Sequence, residues 1–190
     1  LFEKYPQGKL FFVIWTTTPW TLPGNLAIAL HPRESYAVVR AGTEYYIVAE
    51  ALAEATMRAA GIADYELTER LPGQAFEYMQ ARHPFLERES LLVNAEYVTM
   101  DSGTGCVHTA PGFGVDDYMT GMRYKLPIVV PVDDRGYQTT EAGMFAGLRY
   151  DASNQAILRH LEETGALFAA EEISHQYPHC WRCKNPIIFR

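Results

Sequence analysis

Three cysteines in 190 residues, two of them in Cys180-Trp-Arg-Cys183, cannot build a disulfide framework, and they suit a reducing compartment. Basic residues are also scarce. Sixteen Lys and Arg against 23 Asp and Glu leave a net charge of -7, which argues against gripping a nucleic-acid duplex by phosphate neutralisation and leaves room only for local contact. No apolar run approaches the ~20 residues that cross a bilayer, and no basic segment precedes an apolar one as in a signal peptide. The chain is therefore expected to be cytoplasmic, with no membrane partner. What is present, 48% apolar and 21% charged residues, suits one globular domain able to bury most of its unfolded surface. The chain begins at Leu1 and ends in the apolar run 186–190, so it reads as a piece of a longer polypeptide.

Periodicity predicts an α+β domain, with a mixed, mainly antiparallel, barrel-like β core and peripheral helices. Leu10-Phe-Phe-Val-Ile-Trp15 reads as a strand buried on both faces. Pro19, Pro23 and Gly24 then argue for a shaped loop without regular structure. The apolar runs 26–30, 36–40 and 45–48 follow as a meander, and the Ala-, Glu- and Met-rich stretch 49–60 as a helix stopped by Gly61. Further on, 106–110 and 126–132 read as strands and 115–124 as a helix with Asp116 and Asp117 in its first turn. Ser153 is placed to cap a helix over 154–164.

Three clusters could carry chemistry. In Trp15-Thr-Thr-Thr-Pro-Trp-Thr21, hydroxyls follow a strand and can bond a carbonyl, a hydroxyl or a water, or simply cap loop backbone. In Gly103-Thr-Gly-Cys-Val-His-Thr-Ala-Pro111, a histidine precedes Asp117 by nine residues across a turn, so both could share a cleft. Taken singly, His108 is as readily a core histidine with both nitrogens satisfied. The Gly-Thr-Gly string lacks the Lys-Ser/Thr of a phosphate loop, and no Gly-x-Ser-x-Gly elbow supplies a serine nucleophile. Any hydrolysis would rely on a positioned water. The third cluster, His175-Gln-Tyr-Pro-His-Cys-Trp-Arg-Cys183, offers Cys180 and Cys183 as half of a tetrahedral zinc site, with His175 and His179 as unusual further donors.

Together, 16–25, 103–111 with Asp116-Asp117-Tyr118, and 177–189 closely resemble the inserted editing domain (connective peptide 1) of isoleucyl-tRNA synthetase. Valyl and leucyl relatives look like Thr-Thr-Arg-Pro followed by an acidic residue, whereas here Thr18 precedes Pro19 and Trp20 follows it. The resemblance implies a single editing domain over 1–190, with 175–190 returning toward the parent body. The domain would proofread by hydrolysing valyl-tRNA(Ile), and valyl-adenylate, while excluding isoleucyl products. One methylene is worth only ~1–3 kcal/mol in a hydrophobic pocket, and the isoleucine–valine pair is the standard illustration of that limit, so a second, smaller sieve is needed. By the same resemblance Asp117 anchors the substrate ammonium, and Thr16, Thr17 and Thr18 surround the scissile ester and terminal adenosine. His108 walls the amino-acid side chain, Trp20 and Asn25 line the pocket, and Tyr177 meets the nucleotide end. The implied partners are the aminoacylated 3′ end of tRNA(Ile), the valine moiety, valyl-adenylate and the rest of the synthetase. Editing would need no cofactor; Cys180 and Cys183 would join a structural zinc whose other ligands lie upstream of Leu1. Phe113 and Gly112 fall where family members vary and inform little. A non-catalytic module binding the tRNA end, and a zinc-ribbon structural domain, are the alternatives.

Overall fold

A computed structural model describes residues 4–6, 8–171 and 177–190. Among these residues there are eight strands, β1 (Leu10–Phe12), β2 (Ala27–Leu30), β3 (Ser35–Ala41), β4 (Glu44–Ala49), β5 (Glu66–Pro72), β6 (Gln80–Arg82), β7 (Glu89–Asn94) and β8 (Val107–Thr109). The same residues form three α-helices, α1 (Ala53–Ala59), α2 (Val115–Tyr124) and α3 (Tyr150–Glu163). The strands form two four-stranded mixed sheets, in the orders β1-β4-β3-β5 and β6-β7-β2-β8. Only β1–β4 and β2–β7 are parallel; the other pairs are antiparallel.

Alternation along the central strands makes this a layered core. Tyr36 and Val38 of β3 point with Ile47 of β4 toward Ile28, Leu30 and Leu92 of the second sheet, while Ala37, Val39 and Val48 point outward to Ala53 and Met57 of α1. On the far side of the second sheet, Ala27, Ala29 and Val93 pack beneath Tyr124 and Leu126 at the end of α2. A satellite cluster joins Leu22 to Ala142, Phe145 and to Ile157 and Leu161 of α3.

The hydrogen-bonded strands do not close into a barrel. Among the described residues no strand belongs to both sheets, and the β-bridge that joins them is the parallel pair Trp15–Val107, with Trp15 N–H donating to Cys106 O at 3.0 Å. The reason lies in 10–15. Phe11 and Trp15 are 40% and 38% exposed, so this run is an edge that passes from one sheet toward the other, and not the doubly buried strand its composition suggests.

Three local expectations are also corrected. Residues 19–24 form a 3-10 helix, because Pro19 at its start lacks an N–H that would have no partner there. The third helix begins at Tyr150 behind Arg149, so Ser153 is not its cap; its hydroxyl donates to Tyr150 O within the first turn, fully buried. The run 126–132 is not a strand, and only Val132 bridges, to Gln138.

Candidate functional site

The 3-10 helix over Pro19–Gly24 is held from every side. Thr16 Oγ1 accepts the Thr18 N–H at 3.1 Å, and the Thr21 N–H and hydroxyl both donate to Thr18 O, at 3.0 and 2.8 Å. Trp20, 4% exposed, donates its N–H to Asn154 Oδ1 at 2.8 Å and accepts at its carbonyl from Gln138 Nε2 at 2.8 Å. Leu22 O accepts from His83 Nε2 at 3.0 Å, and Pro23 O from the Arg88 guanidinium. His83 can donate there because its Nδ1 receives the Phe85 and Leu86 N–H groups, and burial holds its pKa down to about 4, so it is neutral. Four of the loop carbonyls, those of Thr18, Trp20, Leu22 and Pro23, thus have partners within the protein. Thr17 differs: it is exposed, and its hydroxyl makes no hydrogen bond among the described residues.

His108 joins this loop to the second cluster. The β2–β8 pairing sets His108 opposite Ile28, with both ring nitrogens engaged. The Asn25 amide donates to Ala27 O at 2.9 Å, which fixes its orientation, so the same Nδ2 donates to His108 Nδ1 at 2.7 Å. The ring proton is then assigned to Nε2, which donates to Thr21 Oγ1 at 3.0 Å, and Ser90 closes the other end by donating to Asn25 Oδ1. Burial, with the nearby His83, lowers the His108 pKa to about 3. This is a core histidine with both nitrogens satisfied. Being only 8% exposed, it can meet a ligand only through a ring edge.

Asp117 is the contrasting group. It sits in the first turn of α2, where the helix dipole favours a carboxylate. Burial nevertheless raises its pKa to about 6, opposed by the Ala110 N–H, which bonds the carboxylate, and assisted by Asp116. Asp116 itself is exposed. A Cβ at Gly114 would lie 3.0 Å from Asp117 Oδ2, so a glycine there keeps space beside the carboxylate. The buried Tyr97 hydroxyl lies near Thr109 and Thr120 without a well-formed hydrogen bond, and its pKa is raised by burial and by Asp117 and Asp116.

The first two clusters therefore form one corner, and Phe113 locks it. Its ring lies edge-on to Trp20 at 5.2 Å, and a Cβ at Gly24 would come 2.6 Å from its Cε2. Sequence reasoning gave Phe113 no role and did not single out His83, Arg88, Ser90, Gln138 or Asn154. The one local signal among them is Pro84 after His83, a pattern that marks a turn.

The third cluster lies apart. Residues 180–183 form a turn closed by Lys184 N–H to Cys180 O at 2.8 Å, His179 bridges Pro186, and His179 Nδ1 donates to Tyr177 O at 2.8 Å. Cys183 is exposed, and hydrogen bonds from the turn backbone lower the Cys180 pKa. Cys106 is buried elsewhere, its thiol against Ile47 O at 3.6 Å and its pKa pushed up by burial. Among the described residues no group of three or more His, Cys, Asp or Glu converges. Two thiols do not fill the four positions of a structural zinc, so this chain's described donors do not fit the metal alone. His175 lies outside the described residues. Tyr177 is half-buried beside Tyr150, its pKa raised by burial and by that neighbour. No helix among the described residues is long and apolar enough to cross a membrane.

No family model matches the chain. Over its whole length it is 51% identical to an isoleucine–tRNA ligase of Petrotoga mobilis and 54% identical to one of Kosmotoga olearia. It covers 21% and 20% of those proteins, so the chain spans about a fifth of the length of the curated relatives it matches. Its fold is similar to that of GlLeuRS-CP1 (TM-score 0.68, 18% identity, 86% of this chain and 85% of that one). It is similar also to the editing domain of the P. knowlesi cytosolic leucyl-tRNA synthetase (TM-score 0.62, 10% identity, 82% of each chain).

Proposed function

We propose that this chain, 51% and 54% identical over its whole length to a segment of two isoleucine–tRNA ligases, is the proofreading domain of such a ligase, hydrolysing valyl-tRNA(Ile) and valyl-adenylate while excluding isoleucyl products. The observation that supports this reading is the corner itself. A neutral, hydrogen-bonded wall of Thr18, Thr21, Asn25 and His108 stands beside a turn that carries a half-buried carboxylate, Asp117. Such a corner suits a small cationic amino acid joined through an ester to a ribose.

The chemistry follows from what each group can do. The ester is cleaved when water adds to its carbonyl carbon and the ribose oxygen departs with a proton. With pKa values near 3 and 4, buried His108 and His83 are too weakly basic to take the water proton at neutral pH. Cys106 is buried with a raised pKa and is no nucleophile. Catalysis then rests on orientation: Asp117 holds the ammonium, hydroxyls of residues 16–18 hold the ester and the adenosine, and a neighbouring ribose hydroxyl helps the water. Trp20 and Asn25 act as the frame of this pocket, and Tyr177 meets the nucleotide end. The His108 ring edge is the wall that isoleucine would strike.

In the longer protein, Cys180 and Cys183 would supply half of a structural zinc site, and 175–190 would lead back to the ligase body; metal analysis of the chain and of the ligase tests the zinc. The functional test is deacylation. Valine should be released from Val-tRNA(Ile) by a ligase containing this chain, with Ile-tRNA(Ile) spared. Binding of a non-hydrolysable valyl-adenosine with no turnover of the ester would make the domain a non-catalytic module instead.

A further inference from the structure

A cleft of about 310 Å³ lies outside the corner just described, between the turn at 134–137, the start of α3 and the segment 185–188. Its walls carry Arg135, Tyr137, Arg149, Tyr150, Asn185 and Ile188. The Tyr137 ring is 43% exposed. The Arg149 guanidinium lies 5.5 Å over the Tyr150 ring and 3.5 Å from Asp151. Arg135 is exposed and makes no salt bridge among the described residues, and its charge helps to lower the pKa of Asp133. Gly136 has φ +82, and a Cβ there would come 3.2 Å from Tyr150 Cδ1, so glycine keeps the floor clear. None of these groups takes part in the hydrolysis.

Two features say what the cleft would hold. The first is chemical. Asp134 and Asp151 offset the two arginines, so a bare phosphate gains little from the near-neutral lining. A nucleotide gains more, because an exposed aromatic ring stacks any base while an unpaired guanidinium takes the phosphodiester. The second is position. Tyr150 forms a wall of the cleft and its ring also lies 5.7 Å from Trp20, so a single side chain separates the cleft from the threonine loop. Tyr177 adjoins the same Tyr150 ring electrostatically.

We infer that this cleft seats the nucleotide preceding the terminal one of a single-stranded RNA 3′ end, with its base against Tyr137 and its phosphate at Arg135. The inference rests on the reading above that the threonine loop holds the terminal adenosine. It also gives an acidic chain a way to hold RNA: ring stacking with a single cation over a short length of strand.

The experiment is an amide chemical-shift titration of the chain with the trinucleotide CpCpA, with adenosine, with inorganic phosphate and with a non-hydrolysable valyl-adenosine. CpCpA should shift Gly136, Tyr137, Tyr150 and Asn185 together with residues 16–21, whereas adenosine and valyl-adenosine should shift only 16–21. The double variant Arg135→Gln, Tyr137→Ala should weaken CpCpA about tenfold, the scale of one lost stacked base, and leave adenosine unchanged. If CpCpA moves 16–21 but not 134–137 and 150, the inference fails while the proofreading reading stands. Equal shifts at 134–137 with phosphate alone would make this an anion site and overturn the nucleotide assignment. No shift at 16–21 with any adenosine compound would overturn the proofreading reading, and this inference with it.

Discussion

The two walls of the candidate corner are built on opposite principles. On the threonine-loop side, Ser90, Asn25, His108, Thr21 and Thr18 form a directed chain of neutral hydrogen bonds, with both histidines of the region held neutral. On the α2 side, Asp117 is a carboxylate whose pKa burial has raised to about 6. The first wall is largely satisfied by the protein itself and offers a ligand shape, the exposed Thr17 hydroxyl and the remaining hydrogen-bonding capacity of Thr16 and Thr18. The second is left short of partners and gains most when a cation arrives. Shape and charge are thus assigned to different elements, one rigid by saturation and the other destabilised by design of its surroundings.

The sharpest way to break this contrast is Asp117→Asn, which keeps the shape and removes the charge. Losing a charged hydrogen bond to the substrate ammonium, at 1.5–3 kcal/mol, should lower kcat/KM on valyl ester about 100-fold. Stability should move the other way. A folded pKa of about 6 against the ordinary 3.8 means that the ionised carboxylate costs about 3 kcal/mol at neutral pH. That cost is absent below pH 4, accumulates between about pH 4 and 6, and is constant above. The variant should therefore melt several degrees above the wild type at pH 7.5 and level with it at pH 3.5, by calorimetry. The wild-type kcat/KM should rise with pH through a midpoint near 6 and the variant should show no such limb. A variant that is less stable at pH 7.5, or a limb that persists, would show that Asp117 is an ordinary surface carboxylate.

Thr21→Val attacks the other wall. The substitution is nearly isosteric, yet it leaves the buried His108 Nε2–H without an acceptor, which should cost about 1–3 kcal/mol and lower Tm by several degrees. Below pH 4 the loss should not recover, because His108 stays neutral to about pH 3. A smaller effect is expected from Gly24→Ala, whose Cβ must push the Phe113 ring from a 2.6 Å contact. The ring can swing, so the cost should be about 1 kcal/mol, the low end for an overpacked contact. Loosening the Trp20–Phe113 pair should also raise hydrolysis of isoleucyl ester relative to valyl.

How much of this was legible depends on distance along the chain. The helices were: 115–124 is α2 as read, and 49–60 contains α1, because helical signals sit within a few residues of one another. The pairing of the two motif clusters was suggested by resemblance, but the bonds that make it were not. His108 to Thr21 spans 87 residues, and Gln138 to Trp20 spans 118. No local pattern records which side chain will reach which carbonyl. His83 shows the limit clearly: its position before Pro84 marks only a turn, and the fold alone carries it to Leu22 O. The edge strand failed for a related reason. Leu10-Phe-Phe-Val-Ile-Trp15 has the composition of a buried strand, but which sheet pairs with it, and on how many sides, is decided elsewhere.

The smallest expected effect separates architecture from function within three consecutive threonines. Thr17 is exposed with an unengaged hydroxyl, so Thr17→Ala should change stability by no more than about 0.5 kcal/mol. Thr16→Val should cost more, since its Oγ1 accepts the Thr18 N–H at 3.1 Å and helps turn the loop. Activity should rank differently. If the free hydroxyl of Thr17 bonds the ester or the attacking water, its removal loses one neutral hydrogen bond, about 1 kcal/mol, and deacylation of Val-tRNA(Ile) should fall about fivefold at unchanged Tm. A Thr17→Ala protein with full deacylation would mean that the Thr17 hydroxyl makes no bond to the reacting ester, and that any polar hold from this loop falls to Thr16 and Thr18.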